Sequence, residues 1–408
     1  MRNLLILTSA FPFNHGEFFI KDELKIIKKE FSKVHVLCIS NHEMQKNVVN
    51  DENVSYSFIR LKIPIFFKIK LLSYMFTKFF WADLGRLKKK GGNPYNPKMI
   101  YYILSYMNTA FHISKLIKNQ MNLIGLKSSD TILYSYWADE KSLGISLLKN
   151  TNEASCVVTR VHRVDLYDEF AIKGFLPFRG VILKYSNAIL SISKDGCQLL
   201  GAQFPEFSDK ILISRLGKIN DYNYPKNRIN KVFVICSCSA LIPVKRVDRI
   251  INILSQITES PIKWVHFGGG ILEETLKSMA LKNLTKISFE FKGNVNNEEI
   301  MLFYSKNFVD LFINMSESEG IPVSIMEAQS FGIPVIATNV GGTKEIVNNE
   351  NGFLIDKNLS DSSISLLIKD YLVKDDTVKR ELSRLNWVNN FNAKTNYREL
   401  SNNLLNLK

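Results

Sequence analysis

No stretch of this 408-residue chain reaches the roughly 18 uninterrupted apolar residues of a membrane-crossing helix, so no transmembrane segment is expected. Cysteine is scarce and odd in number: Cys38, Cys156, Cys197, Cys236 and Cys238. Most sit in apolar runs that read as buried strands, which argues against a disulfide framework and for a reducing compartment. Cys236 and Cys238 would share one face of a strand, yet no second Cys or His cluster stands at ligand spacing, so no metal site is expected. An Asp-x-Asp pair is also missing. The opening MRNLLILTSAFPF has one Arg, an apolar stretch shorter than a secretory core and no small-residue cleavage site. It reads as a first β-strand, and a cytoplasmic location is expected.

What is present suits a globular protein: 46% hydrophobic and 23% charged residues, in a length that fits two domains of about 200 residues. The net charge of +14 is lopsided, with 31 Lys and Arg against 18 Asp and Glu in residues 1–218 and 22 against 21 in residues 219–408. Within Arg60–Lys90 nine basic residues stand against one acid, Asp83, interleaved with Phe66, Phe67, Leu71, Tyr74, Phe79, Phe80 and Trp81. Such a mixture suits an anionic membrane surface, where rings enter the interface and Lys side chains reach phosphates. A basic helix packing its apolar face on the domain core explains the same pattern. Nucleic acid is not an expected partner, because no helix-turn-helix, zinc or RNA-recognition signature accompanies the charge.

Apolar runs of four to eight residues alternate with helical segments along the whole chain, the signal of parallel sheets covered on both faces. In the first half these are LLILTSAF, a helix from Gly16 to about Phe31, VHVLCIS, TILYSYW, ASCVVTRVH, a helix around Phe178–Tyr185, AILSIS and ILISRLG. Beyond a polar loop around Asn220–Asn230 the pattern resumes and ends with a helix beginning near Thr343. The expected fold class is α/β, two doubly wound Rossmann-like lobes facing a shared cleft. Residues 1–222 form the first lobe and 223–382 the second, with 383–408 a terminal helix packing back on the first. Ligands in such folds sit beyond the carboxyl ends of the strands.

The most specific segment is SESEGIPVSIMEAQSFGIPVIATNVGGTKEIV. Glu319 lies in a strand-to-helix loop, and Glu327 lies about two turns inside the next helix near the same face, so both carboxylates can address one ligand. Between them Gly320, Ile321, Pro322 and Val323 offer backbone N–H groups at a helix start, a seat for a diphosphate, although Pro322 donates none. Surface acids around a helix start are the alternative. Lys245, in a loop after a buried strand, is placed to neutralise a departing diphosphate or else is merely solvated, and Arg246 beside it shares that ambiguity. The turn around Gly269 in WVHFGGGILEETLK allows close approach to a nucleotide, but Glu273 stands where a dinucleotide fingerprint needs its third glycine. Gly16 follows the first strand directly before a helix, as a phosphate-approach glycine or a simple turn. His162 ends a buried strand, with Asp165 and Asp168 after it. It either orients a sugar hydroxyl or a proton, or belongs to the core.

At these residues the sequence resembles the family 4 retaining glycosyltransferases of GT-B fold, most strongly from Lys231 to Leu354. The signature Glu319, Gly320 and Glu327 is followed by the glycine pair Gly341 and Gly342 and by Glu345. The resemblance implies that Glu319 contacts a donor sugar, Glu327 a ribose, Lys245 the diphosphate, Gly16 the phosphate loop, and His162 the reaction centre. It departs at Ala240, where the family often has Arg, and either Arg215 or Arg246 supplies the missing charge or it is dispensed with. The implied activity is retaining, metal-independent hexosyl transfer from a nucleotide-sugar, a UDP-sugar ahead of a GDP-sugar, with no cofactor. The expected acceptor is a lipid-linked oligosaccharide or a polysaccharide of exopolysaccharide, capsule or lipopolysaccharide assembly, at the inner face of the plasma membrane. The acceptor hydroxyl would attack on the face the phosphate leaves. A nucleotide-sugar 2-epimerase and a non-catalytic sugar-nucleotide-binding subunit are the alternatives.

Overall fold

Short runs of Leu, Ile and Val that cannot expose either face become the strands of two parallel sheets. The computed structural model describes residues 2–407 apart from 15, 16, 18, 47, 49, 51, 52, 64–69, 172, 229, 230, 259, 260, 375 and 376. The chain divides into one unit of Met1–Leu216 with Thr395–Lys408 and another of Gly217–Lys394.

In the first unit the order is β1 (Asn3–Thr8), α1 (Ile20–Ile27), β2 (Val34–Ser40), β3 (Val54–Arg60), α2 (Lys78–Lys89), α3 (Pro97–Leu123), β4 (Thr131–Ser135), α4 (Glu140–Asn150), β5 (Cys156–Val161), α5 (Arg179–Tyr185), β6 (Ala188–Ser191), α6 (Lys194–Gln203) and β7 (Ile211–Ile213). The seven strands are parallel in the order β3-β2-β1-β4-β5-β6-β7. Strand order reverses between β1 and β4, so the loops after these two strands diverge and leave a crevice at their carboxyl ends.

The second unit runs β8 (Phe233–Cys238), α7 (Val247–Ser255), β9 (Ile262–Phe267), α8 (Glu273–Asn283), β10 (Ser288–Phe291), α9 (Asn297–Lys306), β11 (Leu311–Asn314), α10 (Val323–Gln329), β12 (Val335–Thr338), β13 (Gly352–Ile355), α11 (Asp361–Val373) and α12 (Thr377–Asn386). Its parallel order, β10-β9-β8-β11-β12-β13, has the switch between β8 and β11. The last helix, α13 (Ala393–Leu405), carries the chain back into the first unit.

Several elements differ from the sequence expectation. The first helix starts at Ile20 rather than Gly16. Near Thr343 there is only a single tight turn, Gly341–Glu345, because the chain must still supply β13 before α11 begins. The terminal segment is two helices separated by a wide turn at Trp387–Phe391, not one. The 27-residue α3 is unanticipated. Asn96 caps it by accepting a hydrogen bond from the Lys98 N–H at 3.0 Å, Pro97 occupies its first turn, and Ile103, Met107, Ala110, Ile117 and Met121 bury one face.

In the basic segment, Phe66 and Phe67 lie outside the described residues. Helix α2 buries Phe80, Leu84 and Leu87 at helical spacing, and its single acid, Asp83, accepts from the Phe178 N–H at 2.9 Å and Arg86 Nε at 3.1 Å. Core packing therefore accounts for one face. Leu72, Phe76 and Trp81 remain 66%, 91% and 60% exposed.

Candidate functional site

The loops that leave β8 and β11 hold Lys245, Arg246 and Glu319. After β8 the chain makes one tight turn at Pro243–Lys245, and Arg246 then takes a left-handed conformation, φ 48°, to open α7. A side chain held there costs about 1–2 kcal/mol, a strain that functional loops tolerate. The turn aims Lys245 at the loop after β11, where its Nζ donates to Glu319 Oε1 at 2.6 Å. Ser316 Oγ at 2.6 Å and Asn314 Nδ2 at 3.3 Å donate to the same oxygen. Glu319 Oε2 receives no hydrogen bond among the described residues. Glu319 is buried, so a carboxylate fixed by three donors keeps one oxygen for another partner.

The glycine pair has a steric reason. A Cβ on Gly341 would sit 1.9 Å from the Glu319 carbonyl oxygen, and φ there is +51°. The loop after β12 thus presses directly on the Glu319 backbone. The glycine turn after β9 serves packing as well: a Cβ on Gly268 would meet Ser239 O at 1.9 Å, and the Gly269 N–H is taken by Asn294 Oδ1 at 2.8 Å.

Glu327 is the fifth residue of the seven-residue α10, just over one turn inside rather than two, and it is buried. Its Oε1 accepts from Asn297 Nδ2 at 2.6 Å and lies 3.5 Å from Lys218 Nζ, which itself donates to Asn297 Oδ1. Sequence reading missed Lys218 and Asn297. The basic residue of the RLGK segment that meets a signature glutamate is Lys218, whereas Arg215 belongs to the first unit, half-buried just beyond β7. Arg246 turns to Glu317 at 2.8 Å and Asp248 at 3.2 Å, and these bonds hold its guanidinium above its ordinary pKa. Gly320, Ile321, Pro322 and Val323 lead into α10, whose start carries no side-chain cap.

In the first unit Gly16 lies outside the described residues. Beside it, the carboxylate of Glu17 accepts from the N–H groups of Ser9 at 3.1 Å, Ala10 at 2.7 Å and Phe11 at 2.7 Å, and from Trp137 Nε1. Trp137 follows β4, and its ring centroid lies 4.3 Å from that of His162 at the end of β5. Tyr136 at 5.3 Å and Phe19 at 5.9 Å complete the aromatic walls. Burial first, then the charge of Arg160, hold His162 well below the usual histidine pKa. It is a neutral imidazole at pH 7, and neither ring nitrogen has a partner among the described residues. Such a ring can donate one hydrogen bond and accept another, but it is a weak proton acceptor.

Behind this ring lies a fully buried ionic network. Arg160, two residues before His162, donates to Tyr134 Oη at 2.5 Å and Ser214 O at 2.9 Å and pairs with Glu23 at 3.2 Å. Tyr134 and Tyr136 each donate to Glu23 at 3.0 Å. Among the described residues no group of three or more His, Cys, Asp or Glu could hold a metal ion, and no helix is long and apolar enough to cross a membrane.

Residues 221–386 match the family model described as glycosyl transferases group 1. The chain is 44% identical over 122 residues to the UDP-Gal:alpha-D-GlcNAc-diphosphoundecaprenol alpha-1,3-galactosyltransferase of Escherichia coli, covering 28% of this chain and 31% of that one. It is 33% identical over 129 residues to the O-antigen biosynthesis glycosyltransferase WbnH of Escherichia coli, covering 31% and 35%. The aligned stretches span about a third of the length of these curated relatives. The lipopolysaccharide outer core galactosyltransferase WaaB has the same fold, with a TM-score of 0.67 at 14% identity over 99% of both chains. Two parallel-sheet Rossmann-like units are thus the architecture this chain shares with GT-B glycosyltransferases.

Proposed function

We propose that this protein is a glycosyltransferase that moves a hexose, with retention and without a divalent metal, from a nucleotide-sugar to a lipid-linked or polysaccharide acceptor. The observation that carries the reading is the Lys245–Glu319 pair at the β8/β11 switch point, with one carboxylate oxygen left open. When the bond between the anomeric carbon and the diphosphate breaks, the electron pair stays on the phosphate oxygen. The Lys245 ammonium stabilises that charge, and its worth grows as the charge grows. Glu319 Oε2 accepts from a donor-sugar hydroxyl, and Glu327, held by Asn297 and Lys218, accepts from the ribose. The acceptor hydroxyl forms the new bond on the face the phosphate leaves and gives its proton to a phosphate oxygen, so no double displacement on a protein carboxylate is needed. His162, neutral and unpartnered on its ring, hydrogen-bonds a sugar hydroxyl.

The match to glycosyl transferases group 1 over 221–386 supports the donor side, and the name of the Escherichia coli galactosyltransferase supports a UDP-sugar and a diphosphate-lipid acceptor. Exposed Leu72, Phe76 and Trp81 among Lys70, Lys78 and Lys88–Lys90 support docking on an anionic membrane at the cytoplasmic face. Hydrolysis and transfer should be measured with UDP-, GDP- and ADP-sugars, with and without EDTA. Preferential turnover of one UDP-sugar, insensitive to EDTA, is expected. No turnover of any donor, even with membrane extract as acceptor, rejects the enzymatic reading, and loss with EDTA rejects metal independence.

A further inference from the structure

The reaction proposed above, on which this inference rests, uses a His162 ring whose own nitrogens nothing in the described structure holds. Its orientation must come from its walls and its backbone. Arg160, two residues earlier, is engaged by Glu23, Tyr134 and Ser214. We propose that Asp165 is the positioning residue, a carboxylate clasp that sets the tilted packing of Trp137 on His162 and so aims the imidazole.

The two oxygens of Asp165 take two backbone donors from the segments that follow two different strands. Oδ1 accepts the His162 N–H at 2.5 Å, and Oδ2 accepts the Ala138 N–H, next to Trp137, at 2.7 Å. Strands β4 and β5 are neighbours in the sheet, so one side chain ties the ends of both and fixes the separation of the rings they present. Asp165 is buried, and Arg179 in turn donates to its carbonyl oxygen, which fixes the residue from behind. The charged groups facing the carboxylate are Arg179 and Asp139, with His162 beside it. Burial pushes the Asp165 carboxyl up to about 7, and above that pH the ionised carboxylate is a two-sided acceptor. An amide accepts on one side only and sets an NH2 against the other N–H, so Asp165→Asn opens half of the clasp at nearly constant volume.

The test, at pH 8.5, compares wild type with Asp165→Asn and Asp165→Glu for kcat, nucleotide-sugar KM, melting temperature and Trp137 emission, with Trp137→Phe to isolate that signal. The expected result is a fall in kcat of about 100-fold, the cost of misplacing a reacting group by about 1 Å, with unchanged KM and a shifted Trp137 emission. Asp165→Glu keeps the charge one methylene further out and is expected to show the same split if Asp165→Asn does not fold. Unchanged kcat in a folded variant overturns the inference, as does a loss shared by KM in step with melting temperature. If wild type turns over no donor, the functional reading fails by itself. The emission then decides alone: a Trp137 signal identical in the variants overturns the clasp, and a shifted one supports it.

Discussion

Removal of Arg160 gives the sharpest prediction about the first unit. Its guanidinium is wholly buried among Glu23, Tyr134 and Ser214. Arg160→Met fills most of the volume but leaves the Glu23 carboxylate with only two tyrosine hydroxyls in a medium that cannot solvate it. Breaking one side of a buried ion pair costs about 3–5 kcal/mol, whereas replacing both sides with neutral groups costs far less. Adding Glu23→Gln to Arg160→Met should therefore restore much of the loss. Burial already pushes the Glu23 carboxyl up, with Arg160 and the tyrosines opposing, and without Arg160 it rises further. The deficit is then present in full above the folded pKa of Glu23 and is relieved as pH falls and the carboxyl takes a proton. Urea-dependent hydrogen exchange of peptides from β4 and β5 at pH 5.5 and pH 8 reports the first unit separately. Additive losses in the double variant, or a deficit independent of pH, would mean that Arg160 does not act by compensating the Glu23 charge.

Glu319→Gln and Lys245→Ala are each expected to lower kcat about 100- to 1000-fold with folding retained, the scale of losing one preorganised charge-stabilising group, checked by steady-state kinetics and circular dichroism. Gly341→Ala must push the Glu319 loop away from a 1.9 Å overlap, so UDP affinity should fall about tenfold or more by calorimetry. Burial pushes the Asp165 carboxyl up to about 7 from its ordinary 3.8. A raised carboxyl favours the folded state at low pH and loses that contribution as pH rises through 7. Relative to Asp165→Asn, wild type should therefore lose up to about 4 kcal/mol between pH 4 and pH 8 in urea unfolding. Replacing Lys88, Lys89 and Lys90 with Gln should weaken sedimentation with phosphatidylglycerol vesicles by more than about tenfold, at about 1 kcal/mol per lysine.

Most strands of both sheets were legible because a strand buried on two faces is largely apolar, as LLIL and VLCI are, whereas β3, VSYSFIR, mixes in Ser and Arg and was not read as a strand. The locations of Lys245, Glu319 and His162 at strand ends followed from the same alternation. Helix α3 was harder to see, since its β-branched and aromatic residues favour strands locally, and only its Asn-Pro start and three- and four-residue spacing mark it. Strand β13 has four residues, too short for any period to register. Partners distant in sequence were not readable at all. Glu327 meets Asn297 and Lys218 from separate elements, and the walls of His162 come from Phe19, Tyr136 and Trp137. Where a Cβ would stand, Gly268 meets the Ser239 carbonyl oxygen and Gly269 meets Asn294 and Glu273, neighbours that the glycine run alone does not name.

The Lys245–Glu319 pair stands at the heart of the proposed hexosyl transfer. The most direct test of that role is UDP release and product mass with a UDP-hexose and a diphosphate-lipid acceptor, for wild type beside Lys245→Ala and Glu319→Gln. Wild type should yield a glycosylated lipid, and either folded variant almost none. Equal product from all three would contradict that role.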